Sequence, residues 1–276
     1  MNEITINWHI LEQCNYSCKY CFAKYTESDI KEIHKSKDEI KYLLEKVHTF
    51  FVKKYQNYTV RLNIAGGEPS LSSNFSYIIQ TAFEIGFKVS IISNASKLTN
   101  EFIEKNAKYI SMFAVSIDSL QKDTNIKIGR ISSDKVLNKN ILVKRLQYLK
   151  QINQNIKIKI NTVVNEYNYN EKIVDFIELI KPDKWKVLQA LSLSDKVYCS
   201  DNQFEIFLLN NALTSNKIFK ESNDDMKNSY IMIDPHGRFY QNSNGAYVYS
   251  SSLLNIDIQE AFNSIQFDLD KFKKRY

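Results

Sequence analysis

The stretch Ile4-Thr5-Ile6-Asn7-Trp8-His9-Ile10-Leu11 runs directly into Glu12-Gln13-Cys14-Asn15-Tyr16-Ser17-Cys18-Lys19-Tyr20-Cys21. Its first half alternates like a β-strand. Its second half is a loop carrying three cysteines spaced CxxxCxxC. With four cysteines in 276 residues, chance gives this spacing with odds on the order of one in a thousand. Three thiolates on one tight loop can hold three irons of a [4Fe–4S] cube and leave the fourth iron open. A structural zinc asks for four N or S ligands. His9 on the strand is a poor fourth, and Cys199 is remote and reads as an ordinary thiol.

Working outward, strand patterns recur at 4–11, 58–65, 87–93, 111–118, 156–164 and 184–190, with helical patterns between them. The clearest helix spans 38–55, where Ile40, Leu43, Leu44, Val47, Phe50, Phe51 and Tyr55 recur at helical spacing. Others are expected at 74–85, 99–108, 134–152 and 170–180. Six βα units with right-handed crossovers give an α/β fold, a partial (β/α)6 barrel. The rhythm breaks after residue 190. Residues 191–276 are then expected to form a C-terminal α+β extension covering the mouth of the 1–190 barrel, with a helix at 202–213 and short strands at 229–234 and 237–241.

Parallel strands buried on both faces read as continuous apolar runs, and several here do not. Ile6, Trp8 and Ile10 oppose Asn7 and His9; Val60, Leu62 and Ile64 oppose Arg61, Asn63 and Ala65. Val115 and Ile117 oppose Ser116 and Asp118; Ile158 and Ile160 oppose Lys159 and Asn161; Trp185 and Val187 oppose Lys184, Lys186 and Leu188. The apolar face packs under the helices, so the polar face points inward. Unpartnered charges there would be costly, which implies a wet interior shaped for a polar, anionic ligand. Arg61, Lys159, Lys184 and Lys186 offer cations for a phosphate tail, and Asn7, Asn63 and Asn161 can hydrogen-bond a sugar or base.

The net charge is +6 and the lysines are dispersed, as on a solvated surface rather than a nucleic-acid footprint. No apolar run is long enough to span a membrane. Met1-Asn2-Glu3-Ile4 enters the first strand at once, leaving no room for a signal peptide or an amphipathic anchor. The expectation is a cytoplasmic monomer with no nucleic-acid or membrane partner.

CxxxCxxC with an aromatic at Tyr20 resembles the signature of the radical S-adenosylmethionine (SAM) superfamily. Gly66-Gly67-Glu68-Pro69, after the second strand, resembles the stretch that contacts the SAM amino group. The match to viperins goes further: Asn15–Phe22, Ser93-Asn94-Ala95-Ser96, Ile128-Gly129-Arg130, Lys159-Ile160-Asn161, Lys184-Trp185-Lys186-Val187 and Ser229-Tyr230 are similar in order and cover nearly the whole chain. The resemblance implies a prokaryotic viperin-like radical SAM enzyme that dehydrates CTP, UTP or GTP to its 3′-deoxy-3′,4′-didehydro analogue, an antiviral chain terminator. It implies that Cys14, Cys18 and Cys21 hold the cluster. Tyr20, Gly66, Gly67, Glu68, Ser93, Asn94, Ser116 and Arg130 would serve SAM. Asn7, Arg61, Asn63, Lys159, Asn161, Lys184 and Lys186 would serve the nucleotide, and Tyr230 would lie at the ribose as the catalytic residue. A flavodoxin or ferredoxin is the expected electron donor. Ala65 stands where viperins have serine, Lys184 where animal viperins have arginine, and the tail is shorter, so the base preference stays open.

Two other readings compete. A peptide maturase or cofactor-biosynthesis enzyme of the same superfamily often holds further clusters through C-terminal cysteines, and only Cys199 remains here. An iron–sulfur redox sensor would carry a separate regulatory unit, and none is apparent.

Overall fold

A computed structural model describes residues 2–21, 31–133, 135–190, 197–212, 218–243 and 246–274. Phe22, the last residue of one viperin-like segment, and the expected boundary at 191 lie outside these. Strand β1 (Glu3–His9) buries Ile4, Ile6 and Trp8 completely, as its alternation requires. The parallel series continues through β2 (Thr59–Ala65), β3 (Lys88–Ser93), β4 (Met112–Ser116), β5 (Lys157–Val164) and β6 (Lys184–Gln189). Each expected strand is present to within about two residues.

The connecting helices are α1 (Lys37–Lys54), α2 (Phe75–Ile85), α3 (Asn100–Asn106), α4 (Lys122–Lys127), α5 (Lys139–Ile152) and α6 (Val174–Ile180). Helix α1 begins where the Ser36 side chain accepts from Glu39 N, and buries Ile40, Leu43, Leu44, Val47 and Phe51 against the sheet. Two helices start later than the periodicity suggests. Asn138 caps α5 through Ile141 N. Asn211 Oδ1 accepts from Ile173 N (2.7 Å) and Val174 N (3.1 Å), which fixes the start of α6 from a distant segment.

The extension does not form a separate cap. It contains α7 (Asp201–Asn210), β7 (Ile218–Glu221), α8 (Asn223–Met226), β8 (Ile231–Ile233), β9 (Arg238–Ser243), β10 (Ala246–Ser252), α9 (Ile258–Asn263) and α10 (Leu269–Lys273). Among the described residues, its strands join the barrel sheet, whose order is β10-β9-β8-β1-β2-β3-β4-β5-β6-β7. Strand β7 adds to β6 in parallel, β8 adds to β1 in parallel, and β9 and β10 follow antiparallel. The six expected units thus gain a seventh parallel strand on one edge and a three-stranded flank on the other. Consecutive strands β7 and β8 sit near opposite ends of the sheet, and residues beside them meet across the open seam of the barrel.

Candidate active site

The loop after β1 is held by backbone contacts on two sides. Ser17 N donates to Gly129 O and Lys19 N to Ile128 O, both at 3.1 Å. Gly67 N donates to Leu11 O (2.8 Å) and Glu68 N to Gln13 O (2.9 Å). A Cβ on Gly67 would fall 2.2 Å from Gln13 O, and one on Gly129, at φ +79°, 2.2 Å from Ser17 O. Glycine is required at both positions by this close approach. Within the loop, Tyr16 N donates to Cys14 Sγ (3.3 Å), and Cys21 N closes a turn on Cys18 O (3.2 Å). Burial pushes the Cys14 and Cys18 thiols up from their ordinary value, while Arg130 opposes this at both.

Arg130 is buried beside the loop. Its Nη1 lies 3.0 Å from Asp118 Oδ2 and 3.9 Å from Cys18 Sγ, and its Nη2 donates to Ser116 O at 2.7 Å. The Tyr20 hydroxyl donates to the same Asp118 oxygen, and Val163 N to the other carboxylate oxygen at 2.7 Å. Asp118, to which the sequence alone gave no role, is therefore the counter-ion that orders Arg130 and Tyr20. A cavity of about 240 Å3 opens here, lined by Tyr16, Ser116, Asp118, Asn125 and Arg130.

Glu68 is fully buried. Its carboxylate accepts from Ser70 Oγ (2.6 Å), Ser93 Oγ (2.8 Å) and Asn94 N (2.8 Å). Burial pushes its acid up, and these hydrogen bonds oppose that shift. Asn94 Nδ2 in turn donates to Asn15 Oδ1 at 2.9 Å. Glu68, Ser93 and Asn94, all expected around SAM, are thus knotted to one another and to the cysteine loop.

On the inner sheet face, Lys159 pairs in register with Lys184, and Asn161 with Lys186. Lys184 Nζ lies 4.0 Å from the centre of the Phe219 ring. Asn161 Oδ1 is buried without a hydrogen-bond partner. Asn7 and Asn63 are placed differently from expectation. Asn63 Nδ2 donates to Asn7 Oδ1 (2.9 Å), Ser90 Oγ to Asn63 Oδ1 (2.5 Å), and Asn7 Nδ2 to Ile231 O (3.2 Å). The floor at this level is a packed polar network rather than a wet cavity. Arg61 lies lower still, beside Thr5 and Lys88 in register. Its guanidinium is gripped by both Glu3 oxygens (2.6 and 2.9 Å) and by Ser111 Oγ (2.9 Å). The structure does not bring Arg61 to the three lysines.

Tyr230 precedes β8 and reaches across the seam. Its hydroxyl donates to Glu221 Oε2 at 2.6 Å and accepts from Lys186 Nζ at 3.0 Å; Lys186 also ion-pairs with Glu221 Oε1. Glu221 was not legible, because a four-residue strand carries no periodicity. A wall formed by Tyr240, Tyr247, Tyr249 and Met232, against which Cys21 and Tyr230 pack, was also missed.

A family model described as the radical SAM superfamily matches residues 8–180. An S-adenosylmethionine-dependent nucleotide dehydratase from Fibrobacter sp. (strain UWH6) is 41% identical over 100% of this chain and 89% of its own length. One of the same name from Psychrobacter lutiphocae is 37% identical over 99% and 95%. The chain belongs to the radical SAM superfamily, in the viperin-like family of S-adenosylmethionine-dependent nucleotide dehydratases. A solved radical SAM neighbour, anSMEcpe with bound AdoMet and Kp18Cys peptide, matches with TM-score 0.70 at 12% identity over 98% of this chain and 84% of its own. Streptococcus suis SuiB bound to precursor peptide SuiA matches with TM-score 0.68 at 16% identity over 99% of this chain, which spans 66% of the SuiB chain. At these identities the two structures establish the radical SAM fold. No helix among the described residues is long and apolar enough to cross a membrane.

The cofactors of a radical SAM enzyme are a [4Fe–4S] cluster and SAM, and the residues present fit them. Three soft sulfur donors share one loop, a backbone N–H already points at Cys14 Sγ, and a buried guanidinium beside Cys18 favours the thiolate that iron binds. Among the described residues no three His, Cys, Asp or Glu side chains converge on one metal ion.

Proposed function

We propose that this enzyme dehydrates the ribose of a nucleoside triphosphate, CTP, UTP or GTP, to the 3′-deoxy-3′,4′-didehydro nucleotide, and that the product terminates phage RNA chains. The reading is carried by the inner face near the barrel mouth. There Lys159, Lys184 and Lys186 share adjacent register positions with Asn161, and Tyr230 touches Lys186 from across the seam. A triphosphate carries about four negative charges near neutral pH, by analogy with the phosphomonoester dianion, so clustered ammonium groups are suited to anchor its tail. Asn161 Oδ1, buried and unpartnered, asks for a donor such as a ribose hydroxyl. Arg61, neutralised by Glu3, braces the floor and is left out of the phosphate site.

When bound, the cluster and SAM would supply radical hydrogen-atom abstraction at the ribose 4′ carbon. Because the hydrogen leaves as an atom, the chain needs no general base for it. Its own residues hold the sugar, orient the departing 3′-hydroxyl toward Tyr230 and keep water from the reacting carbon. Arg130 and Ser116 position the SAM methionine and sugar, with Tyr20 near the adenine. A flavodoxin or ferredoxin in the cytoplasm supplies two electrons, one to cleave SAM and one to complete the didehydro sugar once the 3′-hydroxyl has taken up a proton and left as water. The test is anaerobic incubation of the reconstituted protein with SAM, dithionite and each nucleotide, with mass spectrometry of the products. An NTP that raises 5′-deoxyadenosine above the uncoupled background and loses one water bears the reading out; no response to any NTP sinks it.

A further inference from the structure

Lys186, Glu221 and Tyr230 form a closed triangle from three parts of the chain. Lys186 lies in β6, Glu221 in β7 two residues beyond Phe219, the register partner of Lys186, and Tyr230 just before β8, which pairs with β1. Glu221 gives one carboxylate oxygen to the ammonium and the other to the phenol at 2.6 Å, and the ammonium donates to the phenol at 3.0 Å. Both charged side chains are nearly excluded from solvent, at 7% and 4% exposure. A carboxylate this close to a would-be phosphate ligand competes with the phosphate. It also orders the phenol, since the Tyr230 hydroxyl donates to Glu221.

We propose that Glu221 is a positioning residue that occupies the anion site at Lys186 and releases Tyr230 when a polyphosphate tail takes its place. This rests on the nucleotide reading above and deepens it. Entry of the tail gives Lys186 a new counter-ion. The Lys186–Glu221 pair loosens, and the Tyr230 hydroxyl is freed from the carboxylate to turn toward the sugar. Occupancy of the phosphate site and placement of the phenol are thereby linked, because both draw on the same two oxygens. A nucleoside without phosphates leaves the triangle closed.

The test measures binding of inorganic tripolyphosphate, and separately of each NTP, to the reconstituted holoenzyme. Glu221→Gln keeps the shape and an acceptor for Tyr230 but removes the competing charge. It should bind tripolyphosphate about tenfold more tightly, a gain of about 1.4 kcal/mol, and Lys186→Ala in the same chain should erase that gain. A role confined to folding predicts no tighter binding, so unchanged or weaker affinity in Glu221→Gln overturns the proposal. Glu221→Asp keeps the charge on an arm one methylene shorter. It should leave tripolyphosphate affinity within threefold but lower the nucleotide product formed per 5′-deoxyadenosine, and an unchanged ratio likewise overturns the proposal. If the wild-type chain turns over no nucleotide while Glu221→Gln still gains tripolyphosphate affinity, the exchange stands and the nucleotide reading falls.

Discussion

Asp118 Oδ2 lies 3.0 Å from Arg130 Nη1, with the carboxylate 1% and the guanidinium 9% exposed. Removing one member of such a buried pair strands the other, at a cost of about 3–5 kcal/mol. Asp118→Asn strands the guanidinium and Arg130→Ala strands the carboxylate, so each should lower the urea midpoint of unfolding. Arg130→Ala should weaken SAM binding while the chain keeps its iron. Equal SAM affinity in that variant would remove Arg130 from the cofactor site.

The cysteine loop makes a count. Anaerobic reconstitution should load about four irons per chain, and alanine at Cys14, Cys18 or Cys21 should abolish both iron and SAM cleavage. Cys199→Ala should change neither. Cys199 is buried, and burial with Asp201 nearby pushes its thiol to about 12, so in the iron-free protein iodoacetamide at pH 8 should label Cys14 and spare Cys199. Labelling of Cys199 in the folded chain would contradict its placement.

Gly129 offers a test that touches no ligand. An alanine there must place its Cβ 2.2 Å from Ser17 O at φ +79°, so the loop has to shift. Gly129→Ala should retain the fold by circular dichroism yet lose at least half its iron over hours of dialysis. Full iron retention would show that the 128–129 contact does not set the loop.

His9 predicts a pH dependence. Burial lowers its pKa from 6.5 to about 4, so the unfolded chain takes up the proton first as pH falls. Stability from this residue is complete above pH 6.5 and declines between 6.5 and 4, by about 3 kcal/mol in all. Urea unfolding of the iron-free chain at pH 7.5 and 5 should show that slope, and His9→Gln should flatten it.

Isotopes separate the proposed chemistry from other hydrogen abstractions. Deuterium at ribose C4′ should appear in 5′-deoxyadenosine, and deuterium elsewhere on the sugar should not. Nucleosides and monophosphates should be much poorer substrates than triphosphates, and Lys159→Ala or Lys186→Ala should erode that preference by tenfold or more.

The six barrel strands were legible because each is long enough to alternate, and the cysteine loop because its spacing is rare. Strand β7 has four residues, and β10 reads Ala-Tyr-Val-Tyr-Ser-Ser-Ser, so neither shows a clear period. Sequence alternation correctly put Arg61 and Asn63 on the inner face. It could not show that Glu3 and Asn7 meet them there, because partners across a sheet depend on register. Glu221 escaped for the same reason: its importance comes from Lys186 on β6 and from Tyr230 ahead of β8.

The sheet order also sets when the molecule can finish folding. Strand β1 leaves the ribosome first, yet its β8 neighbour is made more than 220 residues later. Until then one edge of the growing sheet stays unpaired, a surface prone to mispairing with other chains. A chain stopped at residue 190 would keep all three cluster cysteines but lack both outer flanks. It should aggregate when expressed alone, so the iron-binding loop and the last third of the polypeptide form one cooperative unit.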